Sequence, residues 1–169
     1  MSQSLSFAFG RHERLKSDVL ISRLYTDGKS ISKYPVRLTY LVHTQDFYSD
    51  SSVKVSINAS KKGLRLAVNR NRMKRLLREI YRHNKHPLIN FARARNCCIS
   101  MGIVYVGSQL NDYETLERVF IKVLRRAIEA IEIDLAKGLI SSPPHSNRLD
   151  KEKTNTDNLK SKSSDSENA

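Results

Sequence analysis

The 169-residue chain contains no run of about 18 apolar residues, which excludes a transmembrane helix. Its first nine residues, Met1 to Phe9, are too few and too polar for the apolar region of a secretory signal. Only two cysteines occur, Cys97 and Cys98, side by side. Adjacent cysteines give neither a metal cage nor a disulfide framework, and a reducing cytoplasm is the simplest setting for them. Histidines 12, 43, 83, 86 and 145 are scattered, and none belongs to a metal-ligand pattern. No paired carboxylates stand where two-metal phosphodiester chemistry would need them. Asp46 and Asp50 fall in a loop and read as solvated. The chain therefore carries no pattern of a self-sufficient hydrolytic site.

Acidic residues are also scarce: 17 against 30 Lys and Arg, a net charge of +13. Such an excess attracts polyanions, so nucleic acid is the leading partner class and an anionic membrane surface the second. The composition shifts after Ile140. Residues 1–140 hold 25 basic and 12 acidic side chains, whereas residues 141–169 hold five of each. Between Lys61 and Lys85 there are ten basic residues and a single acid, Glu79. The charge is concentrated in one short stretch.

Hydrophobic spacing gives the order of elements. Ser17 can cap a helix carrying Leu20, Ile21, Leu24 and Tyr25, with Gly28 as its stop through the left-handed conformation glycine tolerates. Val36, Leu38, Tyr40 and Val42 alternate as a strand with one buried face, residues 44–52 read as a loop, and Val53, Val55, Ile57 and Ala59 form a second strand. A helix is expected from Asn69 to Asn84, with Pro87 just past its end. Residues 97–106 form a nearly continuous apolar run, as suits a central strand buried on both faces. Asp112 can cap a long final helix with the stripe Leu116, Phe120, Val123, Ala127, Ile131 and Leu135, ended by Gly138. The sum is an α+β fold, a small sandwich with one sheet face covered by helices, spanning residues 1–140. Residues 141–169, with Pro143-Pro144 and two leucines, cannot bury enough apolar surface to offset ordering and are expected to be a disordered polar tail.

On the basic helix, Met73, Leu76, Leu77 and Ile80 form the buried side. Arg70, Lys74 and Arg78 line one flank, with Arg72, Arg75 and Arg82 on the other. Like charges four apart destabilise an isolated helix by a few tenths of a kcal/mol per pair, so a polyanion is the natural complement to these rows. A membrane-surface helix would be basic too. It would need its apolar side free, whereas this side is needed to cover the sheet.

The string AVNRNRMKRLLREIYR, Ala67 to Arg82, closely resembles the signature of the bacterial ribonuclease P protein family, in which an Arg-Asn-Arg core opens a helix. Arg14-Leu15-Lys16, followed after a helix by Gly28, resembles the family's opening segment, and Lys61-Lys62 stands where the family has basic residues. The resemblance covers about residues 9–137. One departure is the family's glycine before Ala-Val: here Gly63 comes earlier and Arg65 stands near its position.

The resemblance implies a sandwich like the second domain of ribosomal protein S5, with a left-handed βαβ crossover containing the basic helix. It implies a subunit of an endoribonuclease whose catalytic RNA is required for activity and holds the Mg²⁺, with no protein active site, no metal site and no evident protein partner. The basic helix would meet that RNA through Arg70, Asn71, Arg72, Lys74, Arg75 and Arg78, joined by Lys61, Lys62 and Arg65. A cleft between the first helix and the sheet would hold the single-stranded 5′ leader of precursor tRNA. Its candidate residues are Ile21, Tyr25 and Arg37, with Thr39 or Tyr40 depending on register. The rivals are a ribosomal-protein-like RNA binder without a processing role, and a stand-alone nuclease.

Overall fold

The computed structural model describes residues 8–44 and 51–140. The tail beyond Ile140 and most of the loop at 44–52 lie outside the described residues. Eight elements follow one another: α1 (Asp18–Asp27), β1 (Lys29–Lys33), β2 (Val36–Thr44), β3 (Val53–Ala59), α2 (Ala67–Asn84), α3 (His86–Ala94), β4 (Cys97–Tyr105) and α4 (Tyr113–Ala136). The strands form one sheet in the order β1-β2-β4-β3. β4 is central, antiparallel to β2 and parallel to β3, so α2 and α3 make the crossover between two parallel neighbours.

The two faces of the sheet differ because side chains alternate along each strand. Val36, Leu38, Tyr40 and Val42 of β2 share a face with Ile99, Met101, Ile103 and Tyr105 of β4 and with Val53, Val55 and Ile57 of β3. Met73, Leu77 and Ile80 of α2, Leu88 of α3 and Phe120, Val123, Ala127 and Ile131 of α4 cover that face in one continuous core. The opposite face carries Arg37, Thr39, Leu41 and His43 of β2, Ser100 and Gly102 of β4, and Lys54, Ser56 and Asn58 of β3. Here α1 lies across the sheet, with Leu24 packed on Leu41 and Leu15. Helices thus occupy both faces, contrary to the single covered face expected.

Two elements escaped the hydrophobic pattern. β1 (KSISK) is an edge strand of mostly exposed residues, held by pairing with β2 rather than by burial. α3 begins where a stop was expected: Pro87 occupies its first turn, a position where the missing N–H costs nothing. α2 starts at Ala67, two residues before the expected Asn69. The Ser17 hydroxyl accepts from the Leu20 N–H at 3.5 Å and Asp112 from the Thr115 N–H at 2.7 Å, as the capping signals imply. Gly28 does end α1, but in an extended conformation (φ −75°). A Cβ there would meet the Leu24 carbonyl at 2.1 Å, so close approach, not handedness, requires the glycine.

Two ionic contacts, the second of them fully buried, fix the ends. Asp134, near the end of α4, accepts from the Tyr40 hydroxyl at 2.9 Å and from the Lys29 ammonium at 2.5 Å, tying α4 to β2 and β1. The second joins Lys85, at the α2–α3 junction, to Glu13. Its ammonium donates to Glu13 Oε1 at 2.5 Å and to the Ala8 carbonyl at 2.6 Å. The Glu13 carbonyl then accepts from the Val55 N–H, and the Leu15 N–H donates to the Val55 carbonyl, so the segment before α1 is laid along the outer edge of β3. Removing one partner leaves an uncompensated buried charge. We expect Lys85→Met to cost about 3–5 kcal/mol in chemical denaturation, and Glu13→Leu with Lys85→Met to cost less than Lys85→Met alone.

Candidate nucleic-acid interface

α2 presents its charges in two rows because its buried side, Met73, Leu77, Ile80 and Tyr81, is fixed on the sheet. Asn71, Arg72 and Arg75 are exposed and line an open groove together with Val68, Leu76 and Glu79. Lys61, Lys62 and Arg65 are exposed in the turn that enters the helix. Arg78 points instead toward the β3 edge, with half-buried Lys74 on the same flank. Arg70 heads that flank but turns inward. Its guanidinium donates to the Leu64 and Arg65 carbonyls at 2.9 and 2.6 Å, so it braces the entry turn that carries the two lysines. Arg82 is held by Glu79, which also contacts His83 Nε2 at 2.9 Å. Hydrogen bonds from Arg82 and His83 hold the Glu79 carboxyl down at about 2, so it is ionised at neutral pH and subtracts from the basic field.

The second candidate region is the space between α1 and the polar face of the sheet. Ile21 is half-buried and packs with Leu15, Leu24 and Leu41. Tyr25 is 44% exposed, yet its hydroxyl end lies on Gly102 of β4. A Cβ at Gly102 would stand 2.8 Å from that hydroxyl oxygen and 3.2 Å from Leu24 Cδ2, so the bare backbone of the central strand lets the ring lie close to the floor. Arg37 is exposed on this same face. Thr39 is buried beside Gly102 and shares a 2.8 Å hydrogen bond with the Ser30 hydroxyl. Tyr40 does not belong here. The alternation of β2 turns it to the opposite face, where it is 2% exposed and bonded to Asp134. Of the two, Thr39 is the one on the face toward α1.

A third feature went unread. Where the segment before α1 meets β3, a notch of about 230 Å³ is lined by Phe9, Arg14, Lys16, Ile21, Ser56, Asn58 and Arg78 among others. Its cations come from the pre-helical segment and α2, 64 residues apart between Arg14 and Arg78. The only signal in the sequence was the Arg14-Leu15-Lys16 triplet, which points to no partner by itself.

Among the described residues no group of three or more His, Cys, Asp and Glu side chains could hold a metal ion, and no helix is long and apolar enough to cross a membrane. His43 is fully buried with Nε2 at 2.8 Å from the Ser100 hydroxyl. Cys97 is buried, which pushes its thiol up to about 11 and away from the reactive thiolate.

An arginine-rich helix docked on an α+β sandwich gives this class of small basic protein a surface that attracts polyanions. Comparison with known proteins makes this specific. The family model "Ribonuclease P" matches residues 9–128. The ribonuclease P protein component of Porphyromonas gingivalis (strain ATCC 33277) is 36% identical over 126 residues, covering 75% of this chain and 90% of the relative. That of Chlorobium phaeobacteroides (strain DSM 266) is 33% identical over 105 residues, covering 59% and 72%. Two structures of the Staphylococcus aureus RNase P protein share the fold. Their TM-scores are 0.54 and 0.51 at 19% and 18% identity, over 68% and 72% of this chain and 94% and 93% of theirs. The chain belongs to the ribonuclease P protein family: it is the protein component of a ribonucleoprotein endoribonuclease of tRNA processing, with an RNA subunit as its partner. The ribosomal-protein-like alternative is set aside.

Because Glu79 is the one carboxylate in the basic groove, Glu79→Gln should strengthen binding to RNA at low salt and steepen its salt dependence. Filter binding of the purified protein across a salt series checks both.

Proposed function

We propose that the exposed row of α2 docks the protein on the catalytic RNA, while the α1 cleft takes the single-stranded 5′ leader of precursor tRNA. The observation that carries this reading is the divergence of the two cationic rows. Arg72, Arg75 and Asn71, with Lys61, Lys62 and Arg65, face outward, whereas Lys74 and Arg78 flank the side toward the cleft. Arginine grips phosphate in a bidentate fork and suits the docking row. Tyr25 offers a face for an unpaired base, and Arg37 a charge for the adjoining backbone. Arg70 joins this set indirectly, by holding the entry turn.

Mg²⁺ belongs to the RNA partner in this reading. The exposed surface of α2 is cationic, and the described residues offer no carboxylate cluster suited to octahedral oxygen coordination. The protein contributes by positioning: each leader phosphate it neutralises reduces repulsion between substrate and RNA, so less metal is needed to bring them together. A cytoplasmic location suits free, buried cysteines and a tRNA substrate.

The test is removal of the 5′ leader from a precursor tRNA at low Mg²⁺, with the cognate RNA subunit and with or without this protein. We expect strong stimulation by the wild type, reduced at least tenfold by Arg72→Ala with Arg75→Ala, with unchanged thermal unfolding because both side chains are exposed. Stimulation that survives this pair would remove α2's outer row from the interface. We also infer that residues 1–140 are the functional unit. A chain ending at Ile140 should keep its melting temperature and its stimulation; a large loss in either would place residues 141–169 in the working part of the protein.

A further inference from the structure

The end of the sheet where β2 begins and β3 and β4 finish carries a surface distinct from the α2 groove and the α1 cleft. Three segments meet there: the turn Tyr34-Pro35 between β1 and β2, the loop after β4, and the turn that enters α2. Backbone hydrogen bonds join them, from the Val106 N–H to the Pro35 carbonyl and from the Ser60 N–H to the Tyr105 carbonyl, both at 2.8 Å. Two glycines permit the closest approach. A Cβ on Gly63 would stand 2.3 Å from the Gly107 carbonyl oxygen, and one on Gly107 would stand 2.8 Å from Pro35 Cβ. On this base stands Tyr34, the most exposed of the described tyrosines at 67%. Its hydroxyl accepts from the Ser108 N–H at 3.3 Å and lies 3.4 Å from the Ser108 hydroxyl, so the ring is tied at its tip while most of it stays in water. Lys33 precedes it, and Lys61 and Lys62 are exposed beside the Gly63–Gly107 contact. Among the described residues, none of these three ammonium groups forms an ion pair. The one acid in the loop after β4, Asp112, is engaged in capping α4.

We propose that Tyr34 is a stacking platform for an unpaired base of the catalytic RNA subunit, with Lys33, Lys61 and Lys62 holding the adjoining phosphates. An aromatic face accepts any base, and a ring already tied at its hydroxyl loses little freedom on binding. The reading rests on the assignment of α2's outer row to that RNA and extends it. The entry turn belongs to both surfaces: Lys61 and Lys62 project from it, and Arg70 braces it through the Leu64 and Arg65 carbonyls. The docking surface therefore continues from the helix around the end of the sheet to the β1–β2 turn. Cations attract any phosphate backbone, whereas the ring needs a base that is out of its helix. Tyr34 thus adds a preference for RNA shape to an attraction that charge alone leaves unselective.

The chain contains no tryptophan, so Tyr34→Trp places a single indole on this surface. Its fluorescence is followed while the cognate RNA subunit, or a ten-nucleotide leader oligoribonucleotide, is added to the full-length protein. The RNA subunit is expected to quench the emission strongly, and the leader to leave it unchanged. Tyr34→Ala should lower affinity for the RNA subunit about tenfold without changing the salt slope, because a stack rather than a charge is removed. Its melting temperature should not move, since the ring is exposed. Tyr34→Phe keeps the ring and loses the Ser108 contacts, and should stay within about threefold of wild type. Quenching by the leader and not by the RNA subunit would give the platform to the substrate and overturn the proposal. So would full affinity of Tyr34→Ala together with an unquenched indole, while the docking of α2 would stand. If Arg72→Ala with Arg75→Ala also leaves RNA-subunit affinity unchanged, the docking assignment itself fails.

Discussion

Lys85 and Glu13 decide where the N-terminal segment lies, and the placement of α1 relative to the basic helix follows from that. An ammonium 2% exposed is tolerable only because a carboxylate and a backbone carbonyl receive it. The pair pulls residues 8–15 against the α2–α3 junction, and Phe9 closes over Tyr81 with ring centroids 5.3 Å apart. From this anchor the chain runs beside β3 and enters α1, so the cleft is set against the basic helix at a fixed offset. One buried contact thus coordinates two surfaces that share no residue.

The sheet separates an apolar face from a polar one by side-chain parity. One face is dry and packed by three helices. The other carries polar groups, of which Thr39, His43, Ser100 and Ser56 are buried while Arg37 and Asn58 stay exposed. α1 is held there by a small cluster, Leu15, Leu24 and Leu41. The floor of this face is therefore mostly closed, and what stays accessible on it is Arg37, Asn58 and the ring of Tyr25. The glycine at position 102 lowers that floor under Tyr25.

Much of this was legible in the sequence. The apolar alternation of β2 and β3, the apolar run of β4 and the stripe of α4 are strong signals because each places apolar side chains at the spacing or over the length that its element needs. β1 was not legible, since KSISK gains its order from the ladder with β2, and pairing leaves no mark on composition. α3 was hidden by Pro87, which reads equally as a stop or a start. At the site, the rows of α2 followed from helical spacing, but the inward turn of Arg70 did not, because its partners are backbone carbonyls any sequence could supply. Tyr40 shows the reverse problem. A resemblance placed it near the cleft, and only the register, with Asp134 waiting on the far face, sends it away.

The length of chain between Glu13 and Lys85 has a bearing on how the protein is made. The two are 72 residues apart. At a synthesis rate of roughly 5–20 residues per second, the N-terminal segment waits about 4–14 seconds before its anchor exists. β2 likewise waits for its central partner β4, and β3 for a parallel neighbour beyond two helices. The arginine helix is therefore complete before the sheet that orients it, and for that interval the nascent chain carries its RNA-seeking charge without the fold that gives it direction.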